Sequence, residues 1–236
     1  MRSSFSSLLL AGLVCGPALI LFTGTAEAHV SLASGPAIAA KSQKITFGVG
    51  HGCEGSDTVR IRVDIPASVT SVRPLFSDFG KPTVIKNGTT VTAVEWTKSD
   101  ADVLAADDAY YELTIRARVP DAAFTQIQLN VTQTCRSAAG VETTVLWDQP
   151  AGSTTGNPAP VLIVTPAHTM GWNKVTVGRA VAAADVPTYL GDAQIVWRGA
   201  AAYSSNANTM AQIGNTPGVS VLSGDLASGD EIWIKY

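Results

Sequence analysis

The chain has 236 residues, of which 46% are hydrophobic and 15% charged, with a formal net charge of −3 at neutral pH. No basic run stands out, so the phosphate electrostatics of nucleic-acid binding and a polybasic membrane patch are not expected. The length suits one sizeable domain with a smaller companion.

Residues 1 to 28 read as a signal peptide: Arg2 near the start, an apolar core from Leu8 to Phe22, and the small-x-small sequence Ala26-Glu27-Ala28 that signal peptidase accepts. Gly12, Gly16 and Pro17 interrupt the apolar run, which is shorter than the ~20 residues of a spanning helix. Cys15 follows Val14 rather than a small residue, which argues against a lipidated cysteine. Export to the periplasm or the medium follows as an expectation. Because no second apolar stretch of spanning length follows, no membrane span is expected after cleavage.

Beyond the cut, "KITFGV", "TVRIRVDIP", "TTVTAVEW", "YYELTIRARVP", "TQIQLNVTQTC" and "ETTVLWDQP" alternate apolar and polar residues with period two, the pattern of half-buried strands. Turn signals such as Asn87-Gly88 and Ala139-Gly140 separate them. No long window carries the 3.6-residue period of an amphipathic helix; "SDADVLAADDAYYE" alone resembles a turn of helix, and a loop is the preferred reading. The fold class is therefore all-β, an antiparallel β-sandwich of cupredoxin-like or immunoglobulin-like kind. The first domain is expected to span residues 29–165, followed by a small β-rich module over 166–236 that includes "NKVTVG", "AQIVWRG", "VSVLSG" and "DEIWIKY". A module of that size is weak alone, so packing on the first domain or an oligomer contact is expected of it. Its tryptophans, Trp172, Trp197 and Trp233, are read as core.

Two cysteines, Cys53 and Cys135, survive cleavage. An exported chain with an even count usually pairs them. The alternative, a two-thiolate metal site, is disfavoured in an oxidising compartment.

Cleavage after Ala28 makes His29 the first residue and adds a free α-amine to its imidazole. Both nitrogens deprotonate at modest cost near neutral pH, and two nitrogen donors on one residue suit Cu(II). The loop "VGHGCEGSDT", residues 49–58, holds His51, Cys53 and Glu54 together. Glu54 would supply the anionic oxygen that an amine-imidazole chelate lacks, with His51 as the next candidate donor and Asp57 close by. In the tail, "AHTMGW" places His168 near Met170, a soft-metal pair that reads by default as a surface linker.

Taken together, the "AHV" start, "GHGCEGSDTVRIRVDIP", "SVRP", "YYELTIRARVP", "VTQTC" and "LWDQP" resemble the YcnI-like copper-binding domain of exported bacterial proteins, from His29 to about Val164. The resemblance implies a cupredoxin-like sandwich binding Cu(II) through a single-histidine brace at the mature N-terminus. By that resemblance His29 is the brace, Glu54 the acid, and Trp147 the tryptophan beside the metal. Copper is then the cofactor and cargo, other copper-handling proteins are the partners, and storage, delivery or resistance is the role, without enzymatic activity. A metal-free interaction protein is the alternative. A brace-type copper oxygenase is a further one, but it needs a second histidine, for which only His51 is near, and no flat aromatic substrate surface is legible. Many relatives in that family carry a membrane anchor or a copper-chaperone module in the tail, and neither is legible in this sequence.

Overall fold

The structure is a computed structural model that describes residues 29–236, so the signal-peptide reading lies outside the described residues. Among the described residues no helix is long and apolar enough to cross a membrane.

The strands up to residue 165 are, in chain order, β1 (Val30–Leu32), β2 (Ala37–Ile38), β3 (Ser42–Val49), β4 (Asp57–Asp64), β5 (Thr70–Pro74), β6 (Thr83–Asn87), β7 (Thr90–Thr97), β8 (Tyr111–Arg118), β9 (Thr125–Gln128), β10 (Val131–Arg136), β11 (Glu142–Gln149), β12 (Asn157–Pro158) and β13 (Val161–Thr165). One sheet runs β1-β3-β8-β5, a larger one β12-β11-β10-β4-β7-β6, and a small one β2-β13-β9. The period-two pattern explains the layering. On β4, Val59, Ile61 and Val63 are buried while Arg60, Arg62 and Asp64 are partly exposed. On β8, Leu113, Ile115 and Ala117 are buried with Arg116 and Arg118 outside. The two inner faces meet in one core that includes Phe47, Ile61, Trp96, Leu113 and Ile115. Each such side chain, fully buried, contributes ~1.5–3 kcal/mol relative to exposure.

Cys53 and Cys135 form a disulfide across 82 residues of chain. Closing a loop of that length stabilises by roughly 4 kcal/mol in the chain-entropy account.

Two sequence expectations need correction. "TQIQLNVTQTC" is not one strand: β9 pairs with β13 and β10 with β4 and β11, so the chain changes sheets at Leu129-Asn130. The backbone there bonds outward, Leu129 N–H to Pro160 O and Asp64 N–H to Asn130 O. Alternation survives such a crossing, which is why periodicity could not reveal it.

The tail adds two short helices to the expected strands, and the second correction falls on its tryptophans. There β14 (Trp172–Thr176) is followed by α1 (Val186–Leu190), β15 (Ile195–Arg198), β16 (Ala201–Tyr203), α2 (Ala207–Asn215), β17 (Ser220–Val221) and β18 (Glu231–Lys235). Both helices are too short to display a 3.6-residue period. The start of α2 is instead fixed by capping, the Asn206 side chain accepting from the N–H groups of Asn208 and Thr209. The strands form one sheet, β14-β18-β15-β16-β17, over a core of Val177, Leu190, Val196, Leu226, Ile232 and Ile234. Phe124, from the β8–β9 connection, completes this core and meets Tyr189 edge-on with ring centroids 5.8 Å apart. The small module thus gains apolar contact from its neighbour. Trp172 and Trp233, read as core, are instead 52% and 48% exposed. Period two is the reason: Ile232 and Ile234 face inward, so Trp233 between them faces out.

Candidate metal centre at the N-terminal edge

The register of β1 decides where His29 stands. Val30 is opposite Val49, and Val30 is buried. A one-residue slip would turn Val30 to solvent, so the register is firmly specified. His29, immediately before β1, therefore leaves the sheet beside the point where β3 runs into residues 50–56. His29 is exposed.

That connection is built tightly. Cys53 and Ser56 pair through Cys53 N–H to Ser56 O, 3.1 Å, and Ser56 N–H to Cys53 O, 2.9 Å. Glu54 and Gly55 between them have φ of 50° and 78°, the two-residue type I′ turn. Gly52 is required by close approach, since a Cβ there would collide with Ser56 O. Glu54 is exposed and holds a left-handed conformation that costs an L-residue ~1–2 kcal/mol. Asparagine suits this turn position better. Glu54→Asn is therefore expected to stabilise the fold by about 1 kcal/mol, seen as a higher urea midpoint; a lower midpoint would refute the strain argument.

Trp147 joins the two halves of the site. Its ring lies 5.8 Å from that of His29, tilted by 49°. The indole is buried and its Nε1–H donates to Gln133 Oε1 at 3.1 Å. The Gln133 amide, itself buried, donates in turn to His51 O at 3.0 Å and to Thr58 Oγ1 at 2.8 Å. One amide therefore fixes both the tryptophan under His29 and the backbone of the loop. An indole N–H is a donor and no ligand, so Trp147 forms a wall of the site.

Of the other candidate donors, Asp57 is engaged at both carboxylate oxygens and His51 at Nδ1. His51 Nδ1 lies 2.9 Å from Gly52 O and 3.5 Å from Asp107 Oδ2. A proton on Nδ1 satisfies both oxygens and leaves Nε2 as the acceptor nitrogen; Nε2 is enclosed, with no partner among the described residues. Asp57 is fully buried. Its carboxylate accepts from Lys98 Nζ at 2.6 Å, from the Tyr111 hydroxyl at 2.7 Å and from Leu104 N–H at 2.8 Å. Burial, then the hydrogen bond to Asp57 and its charge, push the Tyr111 hydroxyl well above the ordinary phenol range. Asp57 is thus a structural anion beneath the loop, not an open donor.

Among the described residues no group of three or more His, Cys, Asp or Glu side chains is placed to hold one metal. The structure brings together His29, Trp147 and the loop bearing Glu54. A metal at this edge would need a donor beyond these side chains, as an α-amine on His29 would be; an amine–imidazole pair with a carboxylate oxygen is a donor set that would suit Cu(II). His168 belongs elsewhere: it stacks on Tyr236 at 3.6 Å, its Nδ1 lies 2.8 Å from Pro166 O, and Met170 is 85% exposed.

Sequence reasoning missed Gln133, Asp107 and Lys98. A buried glutamine leaves no periodic signal, Asp107 sits in a stretch read only as a loop, and Lys98 meets Asp57 across 41 residues of chain.

The family model described as "Domain of unknown function (DUF1775)" matches residues 29–164. No curated protein matches the sequence. Among solved structures, an uncharacterized protein from Nocardia farcinica with an immunoglobulin-like fold aligns with a TM-score of 0.50 at 23% identity, covering 59% of this chain and 99% of that one. This makes the sandwich immunoglobulin-like. BcpA, the major pilin subunit of Bacillus cereus, aligns at a TM-score of 0.35 and 12% identity over 64% of this chain and 42% of its own. A cohesin, ScaC of Acetivibrio cellulolyticus, aligns at 0.33 and 16% over 57% of this chain and 96% of its own. Neither is near enough to carry an argument.

Proposed function

Since the chain belongs to the DUF1775 family over residues 29–164, a match that opens on His29, we propose that it is an exported copper-binding protein whose first residue after processing is the ligand. The observation that carries this reading is His29 beside Trp147 at the edge where the loop bearing Glu54 emerges. The α-amine and imidazole of His29 would hold Cu(II), Glu54 would add an oxygen and charge, and Trp147 would shield one side. Binding in the periplasm or outside the cell would serve copper storage, delivery or resistance. Protons compete for both nitrogens, so affinity should fall with falling pH.

A second reading, a metal-free interaction protein, is favoured by the lack of a three-group cluster among the described side chains. Titration of the processed chain with Cu(II), followed by electron paramagnetic resonance, separates them. One equivalent bound with a tetragonal, nitrogen-rich spectrum supports the brace. No tight site on a chain shown by N-terminal sequencing to begin at His29 would leave the interaction reading. In the same assay Glu54→Asn is expected to bind Cu(II) at least about tenfold more weakly, a loss of ~1.4 kcal/mol, while being more stable. Undiminished affinity would remove Glu54 from the site.

A further inference from the structure

On the small module, period two and strand pairing gather three indoles on one open sheet face. Trp197 on β15 is directly opposite Trp233 on β18, and Trp233 is opposite Lys174 on β14, two residues beyond Trp172. The three rings therefore cross three adjacent strands as a diagonal row. With Gly199 they line one shallow recess of about 380 Å³. Gly199 has no side chain to rise beside the indoles, which keeps that end of the row open.

The face is apolar in its rings and lightly charged at its rim. Lys174 and Glu231 pair at 2.6 Å, Lys235 opposite Trp172 adds one further cation on the same face, and the segment 166–236 holds four Lys/Arg against five Asp/Glu. One lysine beyond a paired lysine and glutamate falls far short of the basic cluster that attracts anionic polymers or anionic lipid surfaces. A second copy of the chain is also a poor occupant. Three strands ~4.8 Å apart and ~16 Å long present about 250 Å², well short of the ~800 Å² per partner of a stable complex. Insertion into a bilayer would bury the Lys174–Glu231 pair along with the rings. A narrow, flat, neutral occupant fits: one whose apolar faces stack on indoles while its edges hydrogen-bond to lysine, glutamate and threonine.

We propose that the row of Trp172, Trp233 and Trp197 is a docking platform for a neutral polysaccharide chain. Sugar rings with equatorial hydroxyls offer C–H faces that stack on indoles, and their hydroxyls reach the polar groups beside the rings. Lys174 and Glu231 lie next to Trp233 on the same face and supply a donor and an acceptor. The platform is separate from the His29 edge and would hold the exported protein on an extracellular matrix. It does not depend on copper.

The test is cosedimentation of the full processed chain with microcrystalline cellulose and with chitin, at low and high salt. Wild type is expected to sediment with at least one of them regardless of salt. Trp172→Ala/Trp233→Ala is expected to lose at least about tenfold in affinity, the size of one lost stacking contact. Trp172→Phe/Trp233→Phe should retain most of the binding, because stacking survives. Both tryptophans face solvent, so the unfolding temperature of either pair should match wild type. Absence of sedimentation by wild type, or sedimentation unaltered by the alanine pair, overturns the proposal. So does a wild-type dimer in analytical ultracentrifugation, or binding to phosphatidylcholine vesicles, that the alanine pair abolishes.

Discussion

Acetylating the α-amine of His29 in the processed chain is expected to weaken Cu(II) binding by roughly two orders of magnitude or more. The modification is selective near neutral pH, because an α-amine has a pKa of ~7.7–8 against ~10.4 for lysine. It leaves the imidazole, Trp147 and the Glu54 turn in place and removes one of the two nitrogens on which a chelate depends. His29→Ala removes the other. Both variants should keep the wild-type unfolding transition, since His29 is exposed and precedes the first strand. If acetylated protein retains the affinity and spectrum of the free chain, the brace is wrong and any copper bound lies elsewhere. This measurement separates a site made by processing from adventitious binding by one surface imidazole.

Lys98→Met is expected to destabilise the sandwich by about 3–5 kcal/mol. Methionine keeps most of the volume, so the loss reports charge rather than a cavity. In the native protein the Lys98 ammonium is 4% exposed and bonds both Asp57 Oδ2 and the Tyr111 hydroxyl at 2.6 Å. It also stands over the ring of Tyr111 at 4.1 Å and that of Phe79 at 5.2 Å. Without it the Asp57 carboxylate, fully buried, keeps only the Tyr111 hydroxyl and Leu104 N–H. An unpaired buried charge is far worse than none, so Lys98→Met/Asp57→Asn should recover part of the loss. Urea unfolding of the three proteins measures this. A single-variant loss below ~1 kcal/mol, the range of an exposed pair, would show that the network contributes no more than a surface bridge. Because Asp57 opens β4 right after the loop, Lys98→Met should also loosen the turn bearing Glu54, visible as faster amide exchange at residues 52–56.

Legibility varied with the range of the interaction. The core strands announced themselves because Val59, Ile61 and Val63, or Leu113, Ile115 and Ala117, sit at period two between polar neighbours. The disulfide was legible because Cys15 lies in the segment read as a signal peptide, which leaves Cys53 and Cys135 a single pairing. The sheet change at Leu129-Asn130, α2 with its Asn206 cap, and Phe124 in the second core were not, since each depends on partners far along the chain. Trp172 and Trp233 were misread for a related reason: alternation says that neighbours face opposite ways, but not which way is out.

At the candidate site the same division holds. The sequence by itself determined that His29 follows the small-x-small run Ala26-Glu27-Ala28, that a Gly-rich loop carries His51 and Glu54, and that the surrounding segments are strands, because these rest on local chemistry and periodicity. Only the tertiary structure decided that Val30 pairs with Val49 and sets His29 beside that loop, and that Gln133 ties Trp147 to the His51 backbone. It also decided that Asp57 belongs to Lys98 and Tyr111 rather than to a ligand set. Strand register and the burial of charge are settled by packing between segments distant in sequence, and a local pattern carries no record of which distant partner wins.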